Sequence, residues 1–523
     1  MELIELCIAA LVGLAACLCL IPLILRVSHR HGFAAEANEL HHTHNVPVPR
    51  FGGIALVGGL LAVVLVFGFI EPGFLTINHR WLTLGGSLAM FGLGLWDDFF
   101  ALGARRKLAG QLLIASAVFF LGIGINRLQV PFTGQILDLG LWGWPITVIW
   151  LVAMTNLINL IDGVDGLAGG ICLMLMVLLA YVTRSGGFMA FLAAGMVGSL
   201  LGFLRYNFPP ARIYMGDGGA YFLGFLIGCL TIVNSQKGTV LAALAAPLFV
   251  LALPIIDTSL AILRRGLRGL PLFRPDKKHI HHRLLAAGYS RRGVVLGLYG
   301  FTAFFLVLGF FTYFLHGQYF ALLLGIGTLS IILAAGRFNF SREWLSLGRL
   351  LGNSLESRAE IQYALSLSRW LALEGARAHT VEQIVADVVF VARKLDFGGV
   401  RMRLKDVERV WQLKTPDEAA MEKCFHYQMP RQKQCFLELC VYSPGSPGTL
   451  EVPAGSALTE AELNILSIQA ELVAEAWSKA LKDWQKLHQL PLLFENGSPS
   501  ATVSGAEPIT QALSSAKTTV PAH

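Results

Sequence analysis

Asn156-Leu-Ile-Asn159-Leu-Ile-Asp162-Gly-Val-Asp165-Gly-Leu-Ala, residues 156–168, is wedged between two hydrophobic runs. Two amides and two carboxylates at the edge of an apolar span are costly to hold there and mark a functional place. Asn156 and Asn159 are three apart, so a helix puts them on one face. The Asp-Gly-Val-Asp-Gly stretch then reads as a turn that lets backbone approach a ligand closely. Carboxylate and amide oxygens are the ligands that a hard cation such as Mg²⁺ prefers.

The chain around this stretch is 54% hydrophobic and 14% charged over 523 residues, with a mean hydropathy of +0.60. That balance points to a polytopic membrane protein. The net charge of +7 does not point to nucleic acid, because no basic stripe interleaves with aromatics. Apolar stretches run over about 3–26, 53–70, 82–96, 109–125, 143–158, 166–182, 188–204, 219–233, 239–262, 294–316 and 319–336. The expectation is therefore an all-α membrane domain, residues 1–336, with about eleven transmembrane helices. If the N-terminus lies outside, the inner loops hold Arg26, Arg30, Arg50, Arg105, Arg106, Lys107, Arg205, Arg212 and the run from Arg264 to Arg292. The outer loops hold only Arg80, Arg127, Arg184 and Lys237. This asymmetry follows the positive-inside rule and makes the C-terminus cytoplasmic. The N-terminus lacks the basic start of a cleavable signal and reads as a retained helix.

Beyond residue 340 the pattern changes. Segments 355–374, 380–394 and 459–485 have amphipathic helical spacing, and 398–404, 408–414 and 434–442 read as short strands. Together they predict a cytoplasmic α+β domain over 355–490, compatible with a GAF-like sensory or docking module. Residues 495–523 read as a disordered tail. Eight cysteines are scattered without a CxxC pair, so no disulfide framework is expected, and those in the distal domain suggest a reducing compartment.

Four further loops carry polar clusters, and the charge pattern puts all five on the same side. The first reads His41-His42-Thr43-His44-Asn45-Val46-Pro47-Val48-Pro49-Arg50-Phe51-Gly52-Gly53. Three histidines in four residues could suggest a metal site, but a Cys or carboxylate partner is lacking nearby. His44 and Arg50 fit a loop facing phosphate better. The second is Trp96-Asp97-Asp98, followed by Arg105-Arg106-Lys107. Adjacent carboxylates at a membrane boundary need a cation or a base to remain ionised together. The third of these is Asn207-Phe-Pro-Pro-Ala-Arg212-Ile-Tyr-Met-Gly216-Asp217-Gly-Gly, which ends where a helix starts and favours negative charge. The last is the basic loop closing on Asp276-Lys-Lys-His279-Ile-His281-His282-Arg283. Asp257, inside a span, can equally be a structural helix–helix contact.

The ordered set PVPRFGG, WDD, NLINLIDGVDGLAGG, NFPPARIYMGDGG and HIHHRL resembles the polyprenyl-phosphate N-acetylhexosamine-1-phosphate transferases over about residues 1–336. The final motif looks like the branch that initiates O-antigen and teichoic-acid linkage units, related to the peptidoglycan lipid I synthases. One departure is Leu40-His41-His42, where family members commonly carry Lys or Arg.

The resemblance implies a Mg²⁺-dependent (or Mn²⁺-dependent) enzyme of the bacterial inner membrane. Such an enzyme moves an N-acetylhexosamine 1-phosphate from a UDP-sugar to undecaprenyl phosphate and releases UMP. It implies Asp217 and Asn159 as metal ligands and Asp97, Asp98, Asp162 and Asp165 as catalytic carboxylates. It further implies substrate contacts from His44, Arg50, Arg105, Lys107, Asn156, Asn207, His279, His281, His282 and Arg283. A homodimer and a downstream glycosyltransferase are partners compatible with this reading. A transporter using the Asp and Asn clusters for ion coupling is the alternative; such sites usually lie near mid-membrane, often with internal repeats, and none is visible here. A receptor whose function lies in the distal domain is a third reading, opposed by the density of motifs before residue 284.

Overall fold

In a computed structural model the described residues are 3–31, 48–70, 80–100, 102–129, 136–184, 187–235, 247–268, 284–285, 287–315, 319–337, 354–375, 377–405, 407–414, 422–429, 435–442, 460–490 and 492. Inter-residue contacts divide the chain into two units, the larger holding nearly all of residues 1–344 and the smaller all of 345–523.

The larger unit is a helical bundle: α1 Leu3–His31, α2 Gly52–Ile70, α3 Arg80–Phe100, α4 Ala104–Phe120, α5 Gly143–Ile161, α6 Leu167–Thr183, α7 Phe188–Asn207, α8 Gly216–Ser235, α9 Ala252–Arg268, α10 Arg291–Phe314 and α11 Phe320–Arg337. Among the described residues six helices, α1, α2, α5 with its preceding 3₁₀ turn, α7, α8 and α10, are long and apolar enough to cross a membrane. This is fewer than the sequence suggested. Residues Arg80, Asp97 and Asp98 load α3 with charge, while α4 and α6 are only 17 residues long. Between α4 and α5 lies a two-stranded antiparallel ribbon, β1 Arg127–Gln129 with β2 Ile136–Asp138, which the sequence reading missed.

Helix α8 is the axis of the bundle. Its apolar stretch is 89% buried, against 22% for α1, as expected for a helix that is apolar all round. Lipid offers no hydrophobic drive between helices, so small residues set the approach. A Cβ at Gly224 on α8 would lie 2.6 Å from the Met154 carbonyl oxygen of α5. Likewise, a Cβ at Gly94 on α3 would meet the Asp217 carbonyl oxygen at 2.5 Å. Leu56 and Leu60 of α2, Phe203 of α7 and Phe222 and Leu226 of α8 complete the core on the other side. These contacts bring the ends of α3 and α5 alongside the start of α8. All three junctions carry the polar motifs.

The smaller unit comprises α12 Ser354–Glu374, α13 Val381–Lys394, a four-stranded antiparallel sheet and α14 Glu460–His488. The strands are β3 Gly399–Leu404, β4 Val407–Gln412, β5 Glu422–Gln428 and β6 Phe436–Tyr442, in the spatial order β4-β3-β6-β5. Helix α13 opens on a variant of the capping box: the Thr380 side chain accepts from Gln383 N, and the Gln383 side chain accepts at 2.7 Å from the N–H of His379, one residue before the cap. Val388 and Val391 of α13 pack with Val400 and Met402 of β3 and Leu437 of β6, and with Trp477 of α14. In β5, the run Glu-Lys-Cys-Phe-His-Tyr-Gln alternates only at Phe425 and Tyr427, which pack on the core, a signal so short that the sequence reading passed over it.

One expectation is corrected here. Cys424 and Cys440, 16 residues apart, form a disulfide. Strand register puts them directly opposite each other on β5 and β6, which spacing alone does not reveal. Scattered spacing therefore does not rule out a disulfide.

Candidate active site

The loop before α2 and the loop before α8 run alongside each other. Tyr214 N donates to Pro49 O at 2.8 Å, Gly52 N to Tyr214 O at 2.8 Å and Gly53 N to Met215 O at 2.9 Å. The PVPRFGG and IYMGD motifs, more than 160 residues apart in sequence, thus form one short paired segment with Arg50 in its middle.

At the end of α3 the two adjacent carboxylates divide the work. Asp98 accepts from the backbone N–H of Asp217 and of Gly218, each at 2.9 Å. It therefore caps the start of α8, satisfying two of the amide donors that every helix N-terminus leaves over. Asp97 is buried and accepts from Leu102 N at 2.6 Å, which turns the chain toward α4. Its other oxygen meets the ammonium of Lys107, which also reaches Asp217 at 3.1 Å. One base in the first turn of α4 thus joins the carboxylates of α3 and α8.

The opening motif lies at the end of α5. Asp162 follows the last helical residue, and its N–H bonds back to Asn159 O. Its carboxyl is pushed well above the ordinary carboxylate range, first by desolvation and then by the carboxylates of Asp217 and Asp98. Asp165 accepts from Ala211 N at 3.0 Å, tying this turn to the loop before α8. Gly166 has a φ of +77°, a conformation that glycine adopts without strain. Its N–H donates to the Asn207 side chain at 2.9 Å, and the Asn207 amide group donates in turn to Ile213 O at 2.8 Å. Asn207 is buried and both ends of its amide hold backbone, so its place is in the loop scaffold. Asn156 is likewise engaged: its side chain donates to Gln111 of α4 at 2.6 Å and to Val152 O at 2.8 Å. Gln111, a buried amide in an otherwise apolar run, is a site residue that the sequence reading missed, although a polar group inside a span was the available signal.

The structure therefore brings together Arg50, Asp97, Asp98, Lys107, Asn159, Asp162, Asp165, Asn207 and Asp217 at one end of the helices, with Asn156 one helical turn deeper on α5. Arg105 is exposed at the start of α4. His44, His279, His281, His282 and Arg283 lie outside the described residues. Asp257 falls on α9, away from the paired loops in sequence.

Five carboxylates, Asp97, Asp98, Asp162, Asp165 and Asp217, crowd this end, and Asp162 is repelled by its neighbours. Lys107 and Arg50 supply two positive charges against these five carboxylates, so a further cation suits the set. Among the described residues no three His, Cys, Asp or Glu side chains close into a metal-holding group. Mg²⁺ typically binds through one or two carboxylates, keeps several waters and takes the rest of its shell from substrate phosphates. The donor set fits that habit.

The model of glycosyl transferase family 4 matches residues 80–235, the span from α3 to α8 that holds most of these groups. Among similar proteins is the probable undecaprenyl-phosphate N-acetylglucosaminyl 1-phosphate transferase of Bacillus subtilis (strain 168). It is 38% identical over 300 residues, which are 57% of this chain and 82% of that protein. The decaprenyl-phosphate N-acetylglucosaminephosphotransferase of Mycobacterium tuberculosis (strain ATCC 25618 / H37Rv) is 32% identical over 310 residues, 53% of this chain and 76% of its own. The phospho-N-acetylmuramoyl-pentapeptide-transferase of Moorella thermoacetica (strain ATCC 39073 / JCM 9320) is 36% identical over 273 residues, 49% of this chain and 81% of its own.

Proposed function

The chain belongs to glycosyl transferase family 4, and from that premise we propose that it transfers an N-acetylhexosamine 1-phosphate from a UDP-sugar to a polyprenyl phosphate, with release of UMP. The observation that carries this reading is the convergence of Asp97, Asp98, Lys107 and Asp217 from three separate helices onto one cluster. In the reaction a lipid phosphate oxygen attacks the β-phosphorus of the UDP-sugar, and the bridging P–O bond to UMP breaks. Two anions must meet, so positioning and electrostatic screening supply most of the rate.

Arg50 and Lys107 are the cations of this site, suited to draw the two phosphates together. Asp97 orients Lys107 and, by the family resemblance, positions or deprotonates the lipid phosphate. Asp98 holds the N-terminus of α8, whose amide donors favour negative charge. Asp217 and Asn159 would hold Mg²⁺, with Asp162 beside them, and when bound the ion screens the diphosphate. The histidine-bearing loops, with His44 and 279–283, would meet the diphosphate or the sugar.

The finer features of the reading are likewise proposals. They are about eleven spans with the site on the cytoplasmic face of the bacterial inner membrane, undecaprenyl phosphate as acceptor, and a GAF-like distal domain that regulates or docks. The decisive experiment supplies purified protein in detergent with a panel of UDP-N-acetylhexosamines, with and without polyprenyl phosphate. UMP should appear with one or more donors and only when the lipid is present. UMP release independent of lipid, or none with any donor, overturns the reading.

A further inference from the structure

We propose that α10 is a brace for the reaction, in which Tyr299 and Arg292 are positioning residues that fix the two acidic loops against each other. The inference rests on the transferase reading above and extends it to a helix beyond the family-matched residues.

The Tyr299 hydroxyl donates to Gly166 O, and Arg292 Nε donates to Pro209 O at 2.9 Å. These bonds span 133 and 83 residues of sequence. Each ends on a backbone carbonyl inside a motif loop. Gly166 follows Asp165 directly, and Pro209 lies in the segment that joins Asn207 to Asp217. Gly166 is thereby held on both sides, its N–H by Asn207 and its carbonyl by Tyr299 together with Gly170 N at 3.0 Å.

The packing agrees with a built contact. A Cβ on Gly170 of α6 would collide with the Tyr299 ring, so the glycine makes the space the ring fills. Arg292 sits in the first turn of α10 behind the Ser290 cap, which accepts from Gly293 N at 3.1 Å. A cation there opposes the helix dipole, so its position is not explained by the stability of α10. Arg292 has its place in the basic inner run, and the Pro209 carbonyl gives its side chain a defined partner.

The two braced loops are also bonded to each other, through Asp165 to Ala211 N and through Asn207 to Gly166 N. Removing one brace leaves the loops connected but less exactly placed. Small displacements of reacting groups cost rate far more than they cost binding or folding.

The test uses full-length protein in detergent, with Tyr299→Phe, Arg292→Ala and Arg292→Lys. Tyr299→Phe keeps the ring and deletes only the donor. We expect kcat to fall about tenfold for Tyr299→Phe and Arg292→Ala. KM for both substrates should stay within about twofold, and the detergent elution profile should remain monodisperse. Arg292→Lys, which can still donate to Pro209 O, should recover most of kcat. The inference is overturned if Tyr299→Phe and Arg292→Ala both keep kcat within about twofold of the wild type. It is also overturned if activity is lost only in step with folded protein, which marks a purely structural bond. A wild type that releases no UMP in the same assay overturns the transferase reading itself, and the brace with it.

Discussion

At the scale of single residues, the candidate site turns on who neutralises whom. Lys107 pairs with Asp97 and Asp217, while Asp98 spends both oxygens on backbone N–H groups. Asp217→Asn removes the negative charge that Lys107 and a metal would share, yet keeps the size of the side chain. Turnover should fall by about a hundredfold or more, as when one preorganised electrostatic group is removed from an active site. The folded yield in detergent should be unchanged. Metal removal probes the same cluster: in excess EDTA UMP release should vanish, and Mg²⁺ or Mn²⁺ should restore it. Full turnover after thorough metal stripping contradicts the assignment of Asp217 and Asn159.

At the scale of elements, the bundle depends on how closely α8 meets its neighbours. A methyl group at Gly224 has no room beside the Met154 carbonyl, whereas Gly85 on α3 faces open space. Gly224→Ala should therefore lower stability by about 1–3 kcal/mol, in the range of overpacking, while Gly85→Ala should change it little. Thermal midpoints in detergent compare the two directly. In the distal sheet the Cys424–Cys440 bond closes a loop of 16 residues between β5 and β6. A loop of that length contributes about 3 kcal/mol in the chain-entropy account. Reduction, or replacement of both cysteines by serine, should lower the unfolding midpoint of this domain, followed by the fluorescence of Trp411, Trp477 and Trp484. An unchanged midpoint under non-reducing conditions argues against the bond.

At the scale of the whole molecule, the sidedness and the division of labour are open to direct test. Cysteine introduced at position 107 in a cysteine-free background should resist an impermeant thiol reagent in intact cells and react after permeabilisation. Labelling in intact cells would reverse the proposed orientation. Every phosphate- or metal-binding element of the reading lies before residue 284, so a chain truncated after about residue 340 should retain most of its specific activity. A truncated protein that is monodisperse in detergent yet inactive would place the distal domain in the catalytic machinery.

The sequence by itself determined the helical membrane character and the positions of most helices, because apolar runs and charged interruptions are local properties of the chain. It also marked Asp97, Asp98, Asp162, Asp165 and Asp217, since carboxylates beside apolar spans are conspicuous wherever they fall. Their pairings were not legible. That Asp98 caps α8, that Asn207 and Asn156 serve other protein groups, and that Gln111, Arg292 and Tyr299 belong beside the site all depend on contacts between residues tens to more than a hundred positions apart. The same holds for Cys424 and Cys440, whose meeting is set by strand register. Periodicity shows which face of an element is apolar, but only close packing at places such as Gly94 and Gly224 decides which ends come together.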